Sequence, residues 1–267
     1  MLYTFDALYF KDVEISSLYL GDILVWTSET VEPPTPTYDE TKVAVVLLDE
    51  NDKPTDNVTY FETIADSAEH LKDNSSNRYL VHIGSDSGIT SIYSSFYQCP
   101  NLVSIDVSDG ITSIGTYAFY GCHALKNVNI SSTVTSIADS AFESCSSIKS
   151  VIVPVGVSRI SQAVFRYCTN LESVVLLGNV TLINYSAFDG CASLSSIVIP
   201  STVTSIAPHV FDGCTSLESI AIPSSVTYIG EYAFQTSSLT KMTINKPENS
   251  ISGAPWGATN ATIIWTG

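Results

Sequence analysis

The chain has 267 residues and a formal charge of −16, from 27 acidic against 11 basic side chains, and only 14% of its residues are charged. Counterion release on nucleic acid needs clustered Lys and Arg, and no window of the sequence holds such a cluster, so nucleic acid and anionic membrane surfaces are excluded as partners. The longest unbroken apolar run, Val43 to Leu48, falls far short of the roughly 20 residues that cross a bilayer, so no membrane insertion is expected.

The opening stretch MLYTFDALYF carries no Lys or Arg, and Asp6 and Asp12 interrupt the apolar run that a secretory signal would need. Residues 1–29 read as a small β attachment module. Their apolar and polar positions alternate and end in S-L-Y-L-G-D-I-L-V-W-T (Ser17 to Thr27), a hairpin turning at Gly21 and Asp22. Residues 30–41, with Pro33, Pro34 and Pro36, read as a semi-extended linker. Residues 42–83 read as a β-α-β cap: strand Lys42 to Leu48, turn Asn51 to Pro54, helix Thr59 to Lys72 with Phe61, Ile64, Ala65, Ala68 and Leu71 on one face, and strand Tyr79 to Ile83. This cap is expected to cover an open edge and to pack on the coil of Ile89 and Ile92. The first 83 residues hold 16 acids and 5 bases, against 11 and 6 in the remainder. From residue 84 the composition shifts to Ser, Thr, Val and Ile, which favours strands and turns.

Residues 84–245 carry a period of 23. Cys99, Cys122, Cys145, Cys168, Cys191 and Cys214 fall on it, as do Phe96, Phe119, Phe142, Phe165, Phe188, Phe211 and Phe234. A unit reads V-T-S-I-x-x-x-A-F-x-G-C-x-x-L-x-S-V-x-I-P-S-S, as in Val203 to Ser225. The L-x-x-V-x-I core alternates at the strand period, and the A-F-x-G-C segment is expected on the opposite arm as a short turn or single helical turn. One coil cannot bury its own apolar edge, so the fold class is a solenoid, a stack of about seven 23-residue coils with a parallel sheet. Residues 246–267, with Trp256 and A-T-I-I-W (Ala261 to Trp265), read as a C-terminal cap with a last strand.

The unit resembles the leucine-rich repeat of the Treponema or BspA-like class, with its I-x-x-x-A-F-x-x-C-x-x-L-x-x-V-x-I-P pattern. That resemblance, over about 60% of the chain, implies a right-handed leucine-rich-repeat stack displayed outside cells, without catalysis, whose usual role is adhesion or ligand binding. The segment S-L-Y-L-G-D-I-L-V-W resembles short N-terminal segments of bacteriophage structural proteins. Together these imply a non-enzymatic virion display or attachment protein: residues 1–29 join a virion protein, possible homo-oligomers are held by that module, and the solenoid meets a host-surface protein or glycan. A bacterial cell-surface adhesin is the alternative, and a tail-borne polysaccharide depolymerase the second.

The six cysteines lack C-x-x-C pairs and keep one site per coil, so they are expected as a reduced, buried ladder with no metal and no cofactor. Asp189 and Asp212 occupy equivalent sites in adjacent coils and would be the acids of a depolymerase, but with Glu143 and Arg166 they form one column expected along an exposed edge, without an aromatic subsite. His70, His82, His123 and His209 fall in unrelated frames. The candidate binding surface is the outward face of the sheet. One column runs Asp106, Asn129, Ile152, Val175, Val198, Ala221, Thr243, an apolar stripe between polar ends. It is rimmed by Ser173 and Ser196 in the next column and by Lys149 and Glu172 in the one beyond.

Overall fold

The computed structural model describes residues 38–74 and 76–267, together with four short strands near the N-terminus. The chain divides into two compact units, Met1–Tyr38 and Asp39–Gly267. In the first, β1 (Leu8–Phe10) pairs antiparallel with β2 (Val13–Ile15), and β3 (Ser17–Leu20) with β4 (Ile23–Thr27), Leu20 standing opposite Ile23. The expected strand pairing is therefore present, while Gly21, Asp22 and the linker prolines lie outside the described residues.

The second unit opens as β-β-α-β: β5 (Val43–Leu48), β6 (Pro54–Phe61), α1 (Ile64–Asp73) and β7 (Tyr79–Ile83). The helix starts five residues later than its periodicity suggests. The β-branched and aromatic run V-T-Y-F pairs with β5 instead, Val58 opposite Val46 and Phe61 opposite Val43. Thr63 then caps the helix, its Oγ1 accepting the Asp66 N–H at 3.1 Å. Ile64, Ala68 and Leu71 join one continuous core with Ile92 and Phe96, the packing expected of the cap. Asn101, in the first coil, donates from Nδ2 to the Leu71 carbonyl at 2.8 Å and so ties the helix C-terminus to the stack.

From there the chain winds as a solenoid with three sides. On the wide side, β7 pairs in parallel with Leu102–Val107, and the sheet continues through Asn127–Ile130, Ser150–Val153, Ser173–Leu176, Ser196–Ile197, Ser219–Ile222, Lys241–Ile244 and Thr262–Trp265, the last strand expected from the sequence. This ladder is interrupted, and the repeat's prolines account for where. Ser131, Leu177 and Asn245 donate their N–H to the preceding coil at Val107, Val153 and Ile222. Pro154, Pro200 and Pro223 occupy the same place with no N–H to give. Pairing stops before Ser150–Val153 and before Ser219–Ile222, and shortens to two residues at Ser196–Ile197.

The narrow side is a row of two-residue strands, from Ser91–Ile92 to Tyr228–Ile229. The third side, the A-F-x-G-C arm, is not helical beyond one short 3-10 turn at Ser94–Phe96. Each later Phe is flanked two residues on either side by residues of positive φ, for example Ser140 (55°) and Ser144 (63°) around Phe142, or His209 (57°) and Gly213 (70°) around Phe211. For non-glycine residues this left-handed conformation costs about 1–2 kcal/mol each. The compensation is a set of bonds to the next coil: Ser140, Phe142 and Ser144 donate to the carbonyls of Gln162, Val164 and Arg166 at 2.9, 3.0 and 2.7 Å. Inside, the seven Phe rings stack with centroids 5.1–5.7 Å apart and planes within 5–12° of parallel.

Candidate binding surfaces

The cysteine ladder is buried and free of disulfides, and it has a role beyond packing. Cys122, Cys145, Cys168, Cys191 and Cys214 each donate Sγ–H to the Phe carbonyl of the preceding coil at 3.0–3.2 Å. That carbonyl also accepts the N–H of its own coil's cysteine, so both of its lone pairs are used. Burial pushes the Cys99 thiol up to about 11 and the deeper ones higher still, which keeps them protonated as donors and unreactive as nucleophiles.

The outward column of the wide side starts one coil earlier than its sequence frame shows. His82 on β7 stands opposite Asp106, and Asp106 opposite Asn129. His82 Nδ1 lies 2.6 Å from Asp106 Oδ2 and Nε2 lies 3.2 Å from Glu40 Oε1. Burial works against protonation of His82, but Asp106 and then Glu40 outweigh it and raise its pKa. Glu40 is lowered in turn, because the Ser85 N–H and His82 more than offset its burial. The 24-residue step from His82 to Asp106, with a register shift at Tyr79/Leu80, hid this member of the column.

Further along, Ile152 is half-buried and stands opposite Val175, which is only 7% exposed. The apolar stripe is therefore shorter than expected: Val175 lies in line between the β-branched Ile152 and Val198 and offers a partner almost nothing. Val198, at 45% exposed, and Ala221 remain open. Ser196 is exposed and Ser173 half-buried, and Lys149 lies 3.8 Å from Glu172.

The charged column on the arm is not an exposed edge. Glu143 is buried, and Arg166 reaches both Glu143 (3.6 Å) and Asp189 (3.1 Å). Asp212 accepts from Thr236 Oγ1 at 2.6 Å and faces His209 at 3.1 Å. The two acids proposed for a depolymerase are thus each held by other partners. Aromatic groups do lie beside them: Arg166 sits 4.4 Å over the Tyr167 ring, and Tyr185, His209 and Tyr232 form a row with centroids 5.5 and 5.3 Å apart. These tyrosines escape sequence reading because they occupy different positions of the unit. Among the described residues no group of three His, Cys, Asp or Glu is placed to hold a metal, and no helix is long and apolar enough to cross a membrane.

Parallel coils closed on a stacked Phe core and a Cys–carbonyl ladder define a leucine-rich-repeat solenoid. The chain belongs to the BspA type leucine rich repeat family, which it matches in six copies over residues 89–214 and 181–255. A leucine rich repeat protein from T. pallidum is similar at 26% identity, over 71% of this chain and 84% of its own, with a TM-score of 0.55. One from Bacteroides ovatus is similar in fold at 23% identity and a TM-score of 0.50 over 66% of this chain, which spans 59% of that protein. No curated protein matches the chain. These matches support the cell-surface alternative better than the virion reading, and none of them carries the bacteriophage resemblance of Ser17 to Trp26.

Proposed function

We propose that this is a non-enzymatic surface-displayed binding protein of the adhesin type, whose wide sheet face meets a host-surface protein. Family membership supports surface display and binding. The observation that carries the reading is the open stretch of the outward column, where exposed Val198 and Ala221 lie beside exposed Ser196, while its first end is closed by the Glu40–His82–Asp106 chain. An apolar centre with a hydroxyl rim is the composition of a protein-docking patch.

Peptide mass spectrometry on the cell-envelope fraction and on density-purified phage particles from the source culture tests location. Enrichment in the envelope supports the adhesin, and enrichment in particles overturns it in favour of a virion protein. Val198→Asp with Ala221→Asp should leave the melting temperature unchanged and weaken attachment of purified protein to host cells. Equal attachment would remove the wide face from the reading.

A further inference from the structure

One junction of the stack differs from the rest. On the narrow side each coil closes onto the one before it through two backbone bonds. Thr112, Thr135, Thr181, Thr204 and Thr227 donate N–H to the residue at the matching place of the preceding coil, and Gly115, Ala138, Asn184, Ala207 and Gly230, each just past its strand, donate to the last strand residue of the preceding coil. At the junction between Ser136–Ile137 and Arg159–Ile160 neither bond is present: Ser158 and Ser161 do not reach the Thr135 and Ile137 carbonyls with their N–H groups, and only the Ser161 hydroxyl reaches Ile137. The wide side opens at the same junction, between Asn127–Ile130 and Ser150–Val153. The arm alone stays closed, through its three backbone bonds, the Phe142–Phe165 stack at 5.6 Å and the Cys168 thiol on the Phe142 carbonyl.

The cause is in the residues. Thr133, Thr202 and Ser225 each send a hydroxyl to the preceding coil's Ile111, Val180 and Val203 carbonyls. Gly156 takes that place here and has no hydroxyl to send, but neither have Gly110 and Asn179, whose coils close. Thr112, Thr135, Thr181, Thr204 and Thr227 add a second such bond, and Ser158, in their place, makes none to Thr135. What sets this coil apart is therefore Ser158, whose hydroxyl does not make the bridge that Thr112, Thr135, Thr181, Thr204 and Thr227 make to the coil before them.

What opens is a cleft of about 250 Å³ lined mainly by polar residues, among them Thr135, Ser136, Asp139, Ser158, Arg159 and Ser161, with the apolar Ile137, Ala138 and Val157 between them. At roughly 30 Å³ per water this is the room of about eight waters, the scale of one or two sugar rings. Its chemistry is mixed. The unclosed ladder leaves N–H donors and a carbonyl acceptor, the side chains add hydroxyls, and Arg159 and Asp139 balance in charge, with one Asp139 oxygen taken by the Gln162 N–H at 3.0 Å. A lining poor in apolar surface disfavours an apolar ligand, and one charge of each sign gives an anion no net attraction. Sugar hydroxyls donate and accept at once and so match each of the cleft's polar groups, while a ring's C–H face suits Ile137, Ala138 and Val157.

We infer that this seam is a binding site for a neutral saccharide unit. The site lies on the narrow side and does not depend on the wide-face reading. The test is amide NMR of the intact protein titrated with glucose, galactose, N-acetylglucosamine and lactose, with sodium phosphate as the anion control. At least one sugar should give saturable shifts at the Ser158 and Ser161 amides. Arg159→Ala, an exposed position, should weaken that binding at least tenfold at an unchanged melting temperature, and so should Ser158→Thr, which restores the repeat's residue at that place. The Val198→Asp, Ala221→Asp protein should bind the sugar as the parent does. Shifts with phosphate alone, no shift with any of the four sugars, or sugar shifts that survive Arg159→Ala would each overturn the inference.

Discussion

The arm and the wide sheet face join the same coils by opposite means. The arm keeps its inter-coil bonds at every junction from Phe119 to Phe234, yet does so through residues such as Tyr117, Ala163 and His209 held at positive φ. The wide face uses relaxed extended backbone, and still its ladder to the preceding coil stops or shortens wherever proline follows the strand. Side-chain identity is repeated most strictly where the backbone is most strained. The Phe stack and the Cys–carbonyl bonds hold the arm in a conformation that isolated residues avoid, whereas the sheet tolerates a lost rung because coils on either side are already fixed by the arm.

The most damaging way to break that contrast is to remove an arm side chain at the open seam. Phe165→Ala should cost about 3–5 kcal/mol in chemical denaturation, since neither sheet face backs up the Phe142–Phe165 contact there. An unchanged unfolding midpoint would mean the stack does not carry the junction. Cys168→Ala removes only the thiol donor and a small volume, and should cost about 1–2 kcal/mol by the same measurement.

The N-terminal end of the wide face gives a pH-dependent signal instead. Because the folded pKa of His82 lies above its ordinary value of about 6.5, the stability it adds is fully present below that pH and is lost as pH rises through the folded value. Unfolding free energy should therefore decline as pH rises above about 6.5, and His82→Gln should flatten that decline. An unaltered slope in the variant would separate His82 from it. Smallest of all, Pro223→Ala supplies an N–H for the Ile199 carbonyl while loosening the unfolded chain, so stability should move by less than about 1 kcal/mol. The informative readout is hydrogen exchange: protection of the amide that this substitution introduces would show that proline alone interrupts the ladder.

Much of this architecture is legible in the sequence because the buried ladders follow one uniform period: Phe and Cys at 23-residue steps fix the coil, its stacking direction and its core. What escaped lies where neighbours rather than period decide. Val175 reads as an outward residue and is one, but its own column neighbours shield it. The start of α1 was obscured because V-T-Y-F fits a helical stripe and a strand equally, and pairing with β5 settles it. The arm's left-handed residues leave only a partial trace, the glycines at 121, 190 and 213. The seam is written in Ser158, but that letter matters only once the Thr hydroxyls of the other coils are known to bridge to the carbonyls before them.

The arm's bonds all run one way, each N–H toward the coil that follows, while its remaining N–H groups turn back within their own coil. Peptide dipoles therefore add along this one side, in the manner of a helix lying parallel to the stack, whereas the sheets contribute little net moment. The solenoid has a polarised edge, negative at its first coil and positive at its last. Lys72 of α1 already sits at the negative pole, its Nζ 3.5 Å from the Ser95 carbonyl that opens the column. Any coil added by duplication would lengthen this edge without reversing it, so the preference of the first coil for a cation is a property of the stack as a whole.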